Sequence, residues 1–217
     1  EYVDGTEKGT VIITAYTGDS KDIKIPSKLR GKKVTQIDTN AFEDSDITSV
    51  EIGNNVTYIG KSAFSGCKSL KTVKLGKSIL NIDENCFGDC TSLEEITLPK
   101  SIEKLGGSIF ANCSSLKKVE LEDGSNFAIK DDVLFSSDMK KLYFALPYAK
   151  LGSYTCPDSV ETIMPLAFFS CKNLTEFTFS NKIKVVPQGI FVLCSNLKKI
   201  EFPESVNQIS SVITLQS

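Results

Sequence analysis

The chain is expected to fold as an α/β repeat solenoid. The expected form is a right-handed superhelix with a concave parallel β-sheet and short helical, 3-10 or coil turns on the convex side. Three observations predict it. An aliphatic slot recurs at Ile47, Leu70, Leu93, Leu116, Met139, Leu151, Leu174 and Leu197, in steps of 23, 23, 23, 23, 12, 23 and 23. Apolar residues then fall at +3 and +5 from the slot, the period of a strand with one buried face. A small residue followed by phenylalanine also recurs once per step. One such unit holds too few apolar side chains to close a core, so successive units must stack.

Taken from the N-terminus, residues 1–37 read as a cap and first coil of a single domain spanning 1–217. Open solenoid ends expose apolar surface, and Val11 to Tyr16 with Ile23 to Ile25 are expected to make a covering strand pair. Residues 38–121 are regular repeats. Their strands are Leu70-Val73-Leu75, Leu93-Ile96-Leu98 and Leu116-Val119-Leu121. Proline or glycine stops several of them, as Gly76 and Pro99 do. A Ser-hydrophobic-x-x-hydrophobic stretch follows, as in Ser101, Ile102 and Leu105, and reads as a second extended or turn segment. The turn after it carries the plug: Phe42, Phe64, Phe87, Phe110, Phe168 or Phe191. It is too short for a stable free helix and is expected to be a helical or 3-10 turn pinned by the ring.

Residues 122–156 are irregular. Met139, Leu142 and Phe144 fit the strand slots, as do Leu151, Tyr154 and Cys156, so two strand slots share one repeat of chain. One reading is a tight coil without the phenylalanine turn. The preferred one is a hairpin of Val133–Phe135 against Leu142–Phe144 turning at Ser136-Ser137-Asp138, a cluster that favours turns. Regular repeats resume over 157–209, and 210–217 reads as a terminal strand or a truncated repeat.

Composition excludes several function classes. With 25 basic and 27 acidic residues the formal net charge is −2, which does not suit a nucleic-acid binder. No apolar run approaches a membrane span. The chain has no histidine, so no Ser-His-Asp or Cys-His centre and no His-containing zinc site can be built. No cofactor and no metal is expected. Cys67, Cys90, Cys113, Cys171 and Cys194 share one slot beside the buried leucine. They read as buried small hydrophobes, with no C-x-x-C metal pair among them. A strained Cys86–Cys90 disulfide stays open, and Cys156 reads as core.

The repeat Ala-Phe-x-x-Cys-x-Ser-Leu-x-x-Val-x-Leu-Pro-x-Ser-Ile-x-x-Ile resembles the BspA-like (Treponema-type) leucine-rich repeat family. Residues 61–82, 84–105, 107–121 and 165–209 carry the resemblance closely. It implies a secreted or surface-exposed protein of bacteria or mucosal protists, used in binding or adhesion, with no catalytic residues. A removed signal peptide and a monomeric state are expected with it.

The outward strand positions are the binding candidates. A focused ligand site is expected around Lys117, Lys118, Lys140, Lys141 and Tyr143, because tyrosine is favoured at binding hot spots and Tyr143 is the one aromatic among these positions. The plain alternative is a solvated face of cross-strand Lys–Glu pairs. The expected function is a non-enzymatic module that binds a host matrix or surface protein through the concave face. A glycan-binding module for mucosal glycans, or a passive spacer of a longer adhesin stalk, are the alternatives.

Overall fold

Short apolar–polar alternations and frequent left-handed residues give many two- to six-residue strands and, among the described residues, no helix. The structure is a computed structural model that describes residues 1–210. The chain divides into two compact units, Glu1–Ser125 and Asn126–Ser217.

The first unit contains β1 (Tyr2–Asp4), β2 (Thr10–Ile13), β3 (Asp22–Ile25), β4 (Lys28–Leu29), β5 (Lys32–Ile37), β6 (Ser49–Ile52), β7 (Tyr58–Ile59), β8 (Thr72–Lys74), β9 (Asn81–Ile82), β10 (Glu95–Leu98), β11 (Lys104–Leu105) and β12 (Lys118–Leu121). Two sheets run through it. The first is parallel, in the order β12-β10-β8-β6-β3; the second runs β1-β2-β5-β7-β9-β11, with β4 also on β5. Each coil gives one strand to each sheet. Inward residues of the first sheet, Ile25, Val50, Ile52, Ile96 and Leu98, face the core with Ile37, Ile59 and Ile82 of the second, all nearly solvent-free.

The N-terminal expectation needs correction. β2 and β3 do not pair with each other: β2 lies between antiparallel β1 and parallel β5, while β3 pairs in parallel with β6. The spacing of apolar residues cannot distinguish two strands of one hairpin from the two strands of one coil.

The turn that carries the plug is not helical. Its N–H groups alternate between two destinations. Phe42 N donates to Ala63 O of the next coil at 2.7 Å, Glu43 N turns back to Asn40 O at 3.1 Å, and Asp44 N goes forward again to Ser65 O at 2.8 Å. The coils of Phe64 and Phe87 repeat this pattern. A left-handed residue stands two before and two after each plug: 40 and 44, 62 and 66, 85 and 89, 108 and 112, 166 and 170, 189 and 193. A helix needs every N–H directed four residues back. Here every second N–H leaves for the next coil, so the class is all-β, not α/β. The rings of Tyr16, Phe42, Phe64, Phe87 and Phe110 stack in sequence, with centroids 5.3, 4.9, 5.4 and 6.1 Å apart.

The second unit contains β13 (Phe127–Lys130), β14 (Val133–Ser136), β15 (Lys141–Ala145), β16 (Ser153–Thr155), β17 (Thr162–Ile163), β18 (Glu176–Thr178), β19 (Val185–Val186), β20 (Lys199–Glu201) and β21 (Gln208–Ile209). The hairpin forms: Val133 faces Ala145 and Leu134 faces Phe144 in antiparallel register. Strand β13 extends it to three strands. Its plugs, Phe168 and Phe191, are tilted at 5.9 Å and meet Phe177 edge-on. Of the terminal segment 210–217, residues from 211 on lie outside the described residues.

The hairpin also corrects the placing of Met139. Lys140 O accepts from Glu161 N at 2.8 Å and Thr162 N at 3.2 Å. Leu80 O serves Glu103 and Lys104 in the same way, at 2.8 and 3.1 Å. Lys140 therefore occupies a second-sheet position, and β15 pairs with β17. The 12-residue step is the distance from a second-sheet strand to the next first-sheet strand; Met139 does not occupy the slot of Leu116.

Candidate functional site

Strand alternation sends two rows of side chains out of the first sheet of the first unit. Register places Asp22, Ser49, Thr72, Glu95 and Lys118 in one row, and Lys24, Glu51, Lys74, Thr97 and Glu120 in the other. Lys71, Glu94 and Lys117 border them. Glu51 lies between Lys24 at 3.7 Å and Lys74 at 3.4 Å; Lys117 meets Glu94 at 3.3 Å and Lys118 meets Glu120 at 2.5 Å. Thr48 and Ser49 donate to Asp22 at 3.1 and 2.7 Å. Exposed pairs of this kind stabilise by roughly 0–1 kcal/mol each. Their main effect is to order the face. Glu120 raises the pKa of Lys118 through a hydrogen bond and its charge, and Lys118 lowers that of Glu120 in the same way. A shallow, open depression of about 330 Å³ lies over β3, β6 and β8, bordered by Asp22, Lys24, Glu51 and Lys74.

The second unit repeats the chemistry on β16, β18 and β20. Lys199 meets Glu201 at 2.6 Å, and Thr178 donates to Glu201 at 3.1 Å.

Of the five residues expected to form one site, two belong to the first unit and three to the second. Lys117 flanks β12 and Lys118 lies on it, in the first sheet of the first unit. Lys140 flanks β15, and Lys141 and Tyr143 lie on it, in the hairpin sheet of the second unit. Tyr143 is not the open aromatic that the sequence suggests. It is only 8% exposed, its ring meets Phe127 edge-on at 5.2 Å, and the Lys141 ammonium sits 4.7 Å from its centroid. The cause is β13, a third strand that the repeat pattern does not announce. Lys140 pairs with Glu161 at 3.1 Å.

All seven cysteines are free, and only Cys171 is not fully buried. The slot has a polar duty that spacing did not reveal. The thiols of Cys67, Cys90, Cys113 and Cys194 donate to the carbonyls of Phe42, Phe64, Phe87 and Phe168, one coil back, at 3.0–3.2 Å. Cys171 makes only a 4.0 Å contact to Phe169 O. Burial pushes the thiols up, Cys67 and Cys194 to about 11 and Cys113 to about 12. Thiolate, the nucleophilic and metal-binding form, is suppressed. Among the described residues no group of three or more His, Cys, Asp or Glu is placed to hold a metal ion. No described helix is long and apolar enough to cross a membrane.

The sequence reading also passed over a pair on the second sheet. Tyr58 donates to Asp83 at 2.8 Å across neighbouring coils. Burial first, then the hydrogen bond and charge of Asp83, push the phenol up to about 12 from 10.0. The folded state keeps a proton that an unfolded tyrosine loses, so this contribution is intact below pH 10 and is lost between pH 10 and 12. Asp83→Asn is expected to lower the Tyr58 midpoint while leaving it above 10.0, since burial remains. The difference in tyrosinate absorbance between the parent and its Tyr58→Phe variant, titrated with and without Asp83→Asn, checks it.

Comparison with known proteins agrees with this architecture. The BspA type leucine rich repeat region matches residues 35–155 and 146–213, in six copies. The crystal structure of the pneumococcal vaccine antigen PcpA is similar at 26% identity and a TM-score of 0.72, over 91% of this chain and 51% of that one. The chain thus spans about half the length of that antigen. The leucine-rich repeat protein of T. pallidum is similar at 25% identity and a TM-score of 0.58, over 96% of this chain and 82% of that one. One from Bacteroides capillosus is 34% identical with a TM-score of 0.50, over 56% of this chain and 92% of that one. Comparison with curated proteins gives no match. With stacked strands, plugs and thiol slots in the places the repeat requires, the chain belongs to the BspA-type leucine-rich repeat family.

Proposed function

We propose that the chain is a non-enzymatic interaction module of an exported or cell-surface protein, binding a partner protein through the first sheet of its first unit. The observation that carries this reading is the face itself. Two rows of outward polar side chains, held by lateral ion pairs, cover five neighbouring strands, with a shallow, open depression among them. Such a face suits many modest contacts over a broad area; small-molecule sites are concave and mostly apolar. Likeness to a vaccine antigen supports the surface location.

The end of that face at Lys117 and Lys118 is the proposed contact, because both side chains stand more than half exposed there. The hairpin residues Lys140, Lys141 and Tyr143 form a separate candidate in the second unit. Immobilised chain is to be screened against extracellular-matrix proteins and mucosal glycans. Charge reversal at Lys117 and Lys118 together is expected to weaken capture of the bound protein about tenfold or more, the size of a lost charged contact of ~1.4 kcal/mol or more. Reversal at Lys140 and Lys141 is expected to leave capture by the first unit unchanged. Capture that is indifferent to Lys117 and Lys118 removes this face from the reading, and capture of glycans alone favours the glycan-binding alternative.

A further inference from the structure

The chain contains two Asp-Gly pairs, Asp4-Gly5 and Asp123-Gly124, and the structure treats them in opposite ways. At the first, the Gly5 amide donates to Thr10 O at 2.9 Å in continuation of the β1–β2 ladder. The Asp4 carboxylate is bound by the Lys32 ammonium, and the Thr10 hydroxyl fills the space beside Gly5. Neither reacting group of that pair is free to move.

The second pair is open. Asp123 and Gly124 are both exposed, at the centre of a turn closed by Ser125 N donating to Glu122 O at 3.1 Å. Gly124 has φ +83°, and beyond its two chain neighbours nothing lies within 4 Å of the place a Cβ would take. Glycine in the third position of such a turn leaves its own N–H outside the closing hydrogen bond. Among the described residues the Asp123 carboxylate makes no ion pair or hydrogen bond, and the Gly124 amide donates to nothing. The neighbouring Glu122 carboxylate, in contrast, is held by Lys100 N at 3.1 Å.

We propose that Asp123-Gly124 is a self-modification site, where the chain converts aspartate to isoaspartate through a cyclic imide. The Gly124 nitrogen attacks the Asp123 side-chain carboxyl carbon. A C–N bond forms, and the amide proton leaves with the carboxyl hydroxyl as water, closing a five-membered ring. Water then adds to the former main-chain carbonyl carbon and breaks its bond to nitrogen. The main chain now runs through the side-chain carboxyl, and the freed carboxylate sits on the α-carbon. No atom is gained or lost in total, and no oxidant or cofactor is needed. The product lengthens the main chain by one methylene between β12 and β13, in the stretch of chain that connects the two units.

The test uses the whole chain, held in neutral buffer at physiological temperature and sampled over days. Trypsin releases Asp123 within residues 119–130 and Asp4 within residues 1–8, so the two sites are read on separate peptides. Isoaspartyl forms separate chromatographically at unchanged mass, which distinguishes them from deamidation at Asn126. Isoaspartyl methyltransferase with labelled S-adenosylmethionine counts them independently. In native protein, isoaspartate is expected to accumulate in 119–130 several-fold faster than in 1–8. In denaturant the two rates are expected to converge. Equal rates in the native state, or no isoaspartate in 119–130, would overturn the proposal.

Discussion

Replacing Phe64 by alanine is expected to cost the first unit about 3–5 kcal/mol, the range for removing a fully buried phenylalanine. Phe64 is fully buried, with Phe42 at 4.9 Å on one side and Phe87 at 5.4 Å on the other. Deleting the ring loses its transfer energy and leaves a gap inside a column whose spacing is set by backbone hydrogen bonds. Phe64 N is bound to Cys86 O at 2.9 Å, and Phe64 O receives the Cys90 thiol at 3.2 Å. The coils therefore cannot close up to fill the gap, and the cost belongs at the upper end of the range. Urea denaturation measures it as a lower midpoint. Phe202→Ala, at a ring 42% exposed, serves as the comparison and is expected to cost far less. A loss at Phe64 no larger than at Phe202 would mean that the stacked column does not hold the unit together.

Gly60→Ala is expected to destabilise the same unit by roughly 1–3 kcal/mol or more, the cost of forcing extra atoms into a packed interior. A Cβ there would lie 2.6 Å from Thr39 N and 2.7 Å from Asp38 C. Gly60 has no positive φ, so the effect is contact alone. The atoms it meets are main chain of the preceding coil and cannot rotate away. Gly106 meets Asp83 and Glu84 in the same manner, closer still. The column thus alternates: Asp38 and Asp83 each accept their own next N–H, at 2.8 and 2.7 Å, and a glycine in the following coil lies flat against each. Thermal unfolding of Gly60→Ala checks this, with amide exchange at Thr39 expected to quicken. An unchanged midpoint would show that the coils can separate at little cost.

Much of this architecture is legible in the sequence. The 23-residue step identifies the coils, the +3 and +5 positions identify the first-sheet strands, and the phenylalanines mark the third corner. The Ser-Ser-Asp cluster marks the hairpin that forms between Val133 and Ala145. The helical turn was misread although a signal was present. Asn40 with Asp44, and Asn85 with Asp89, are residue types that tolerate left-handed backbone. Leu166 and Leu193 stand in the same left-handed positions and hide the rule, since leucine gives no such cue. Tyr143 was misplaced because a period counts residues and does not see an inserted strand. Lys140 and Lys141 followed it, their slots shifted from one sheet to the other. The thiol-to-carbonyl bonds were beyond reach, because hydrophobic burial and hydrogen bonding predict the same cysteine at the same place.

The alternating turn has a mechanical consequence. In the first unit each coil gives hydrogen bonds forward at the plug corner and receives the next coil's donors along both sheets. A coil is therefore clamped to its neighbour at three corners and bound to little else. An outermost coil has one such neighbour where an inner coil has two, so a pull on the free end of the chain is expected to peel the unit from that coil inward.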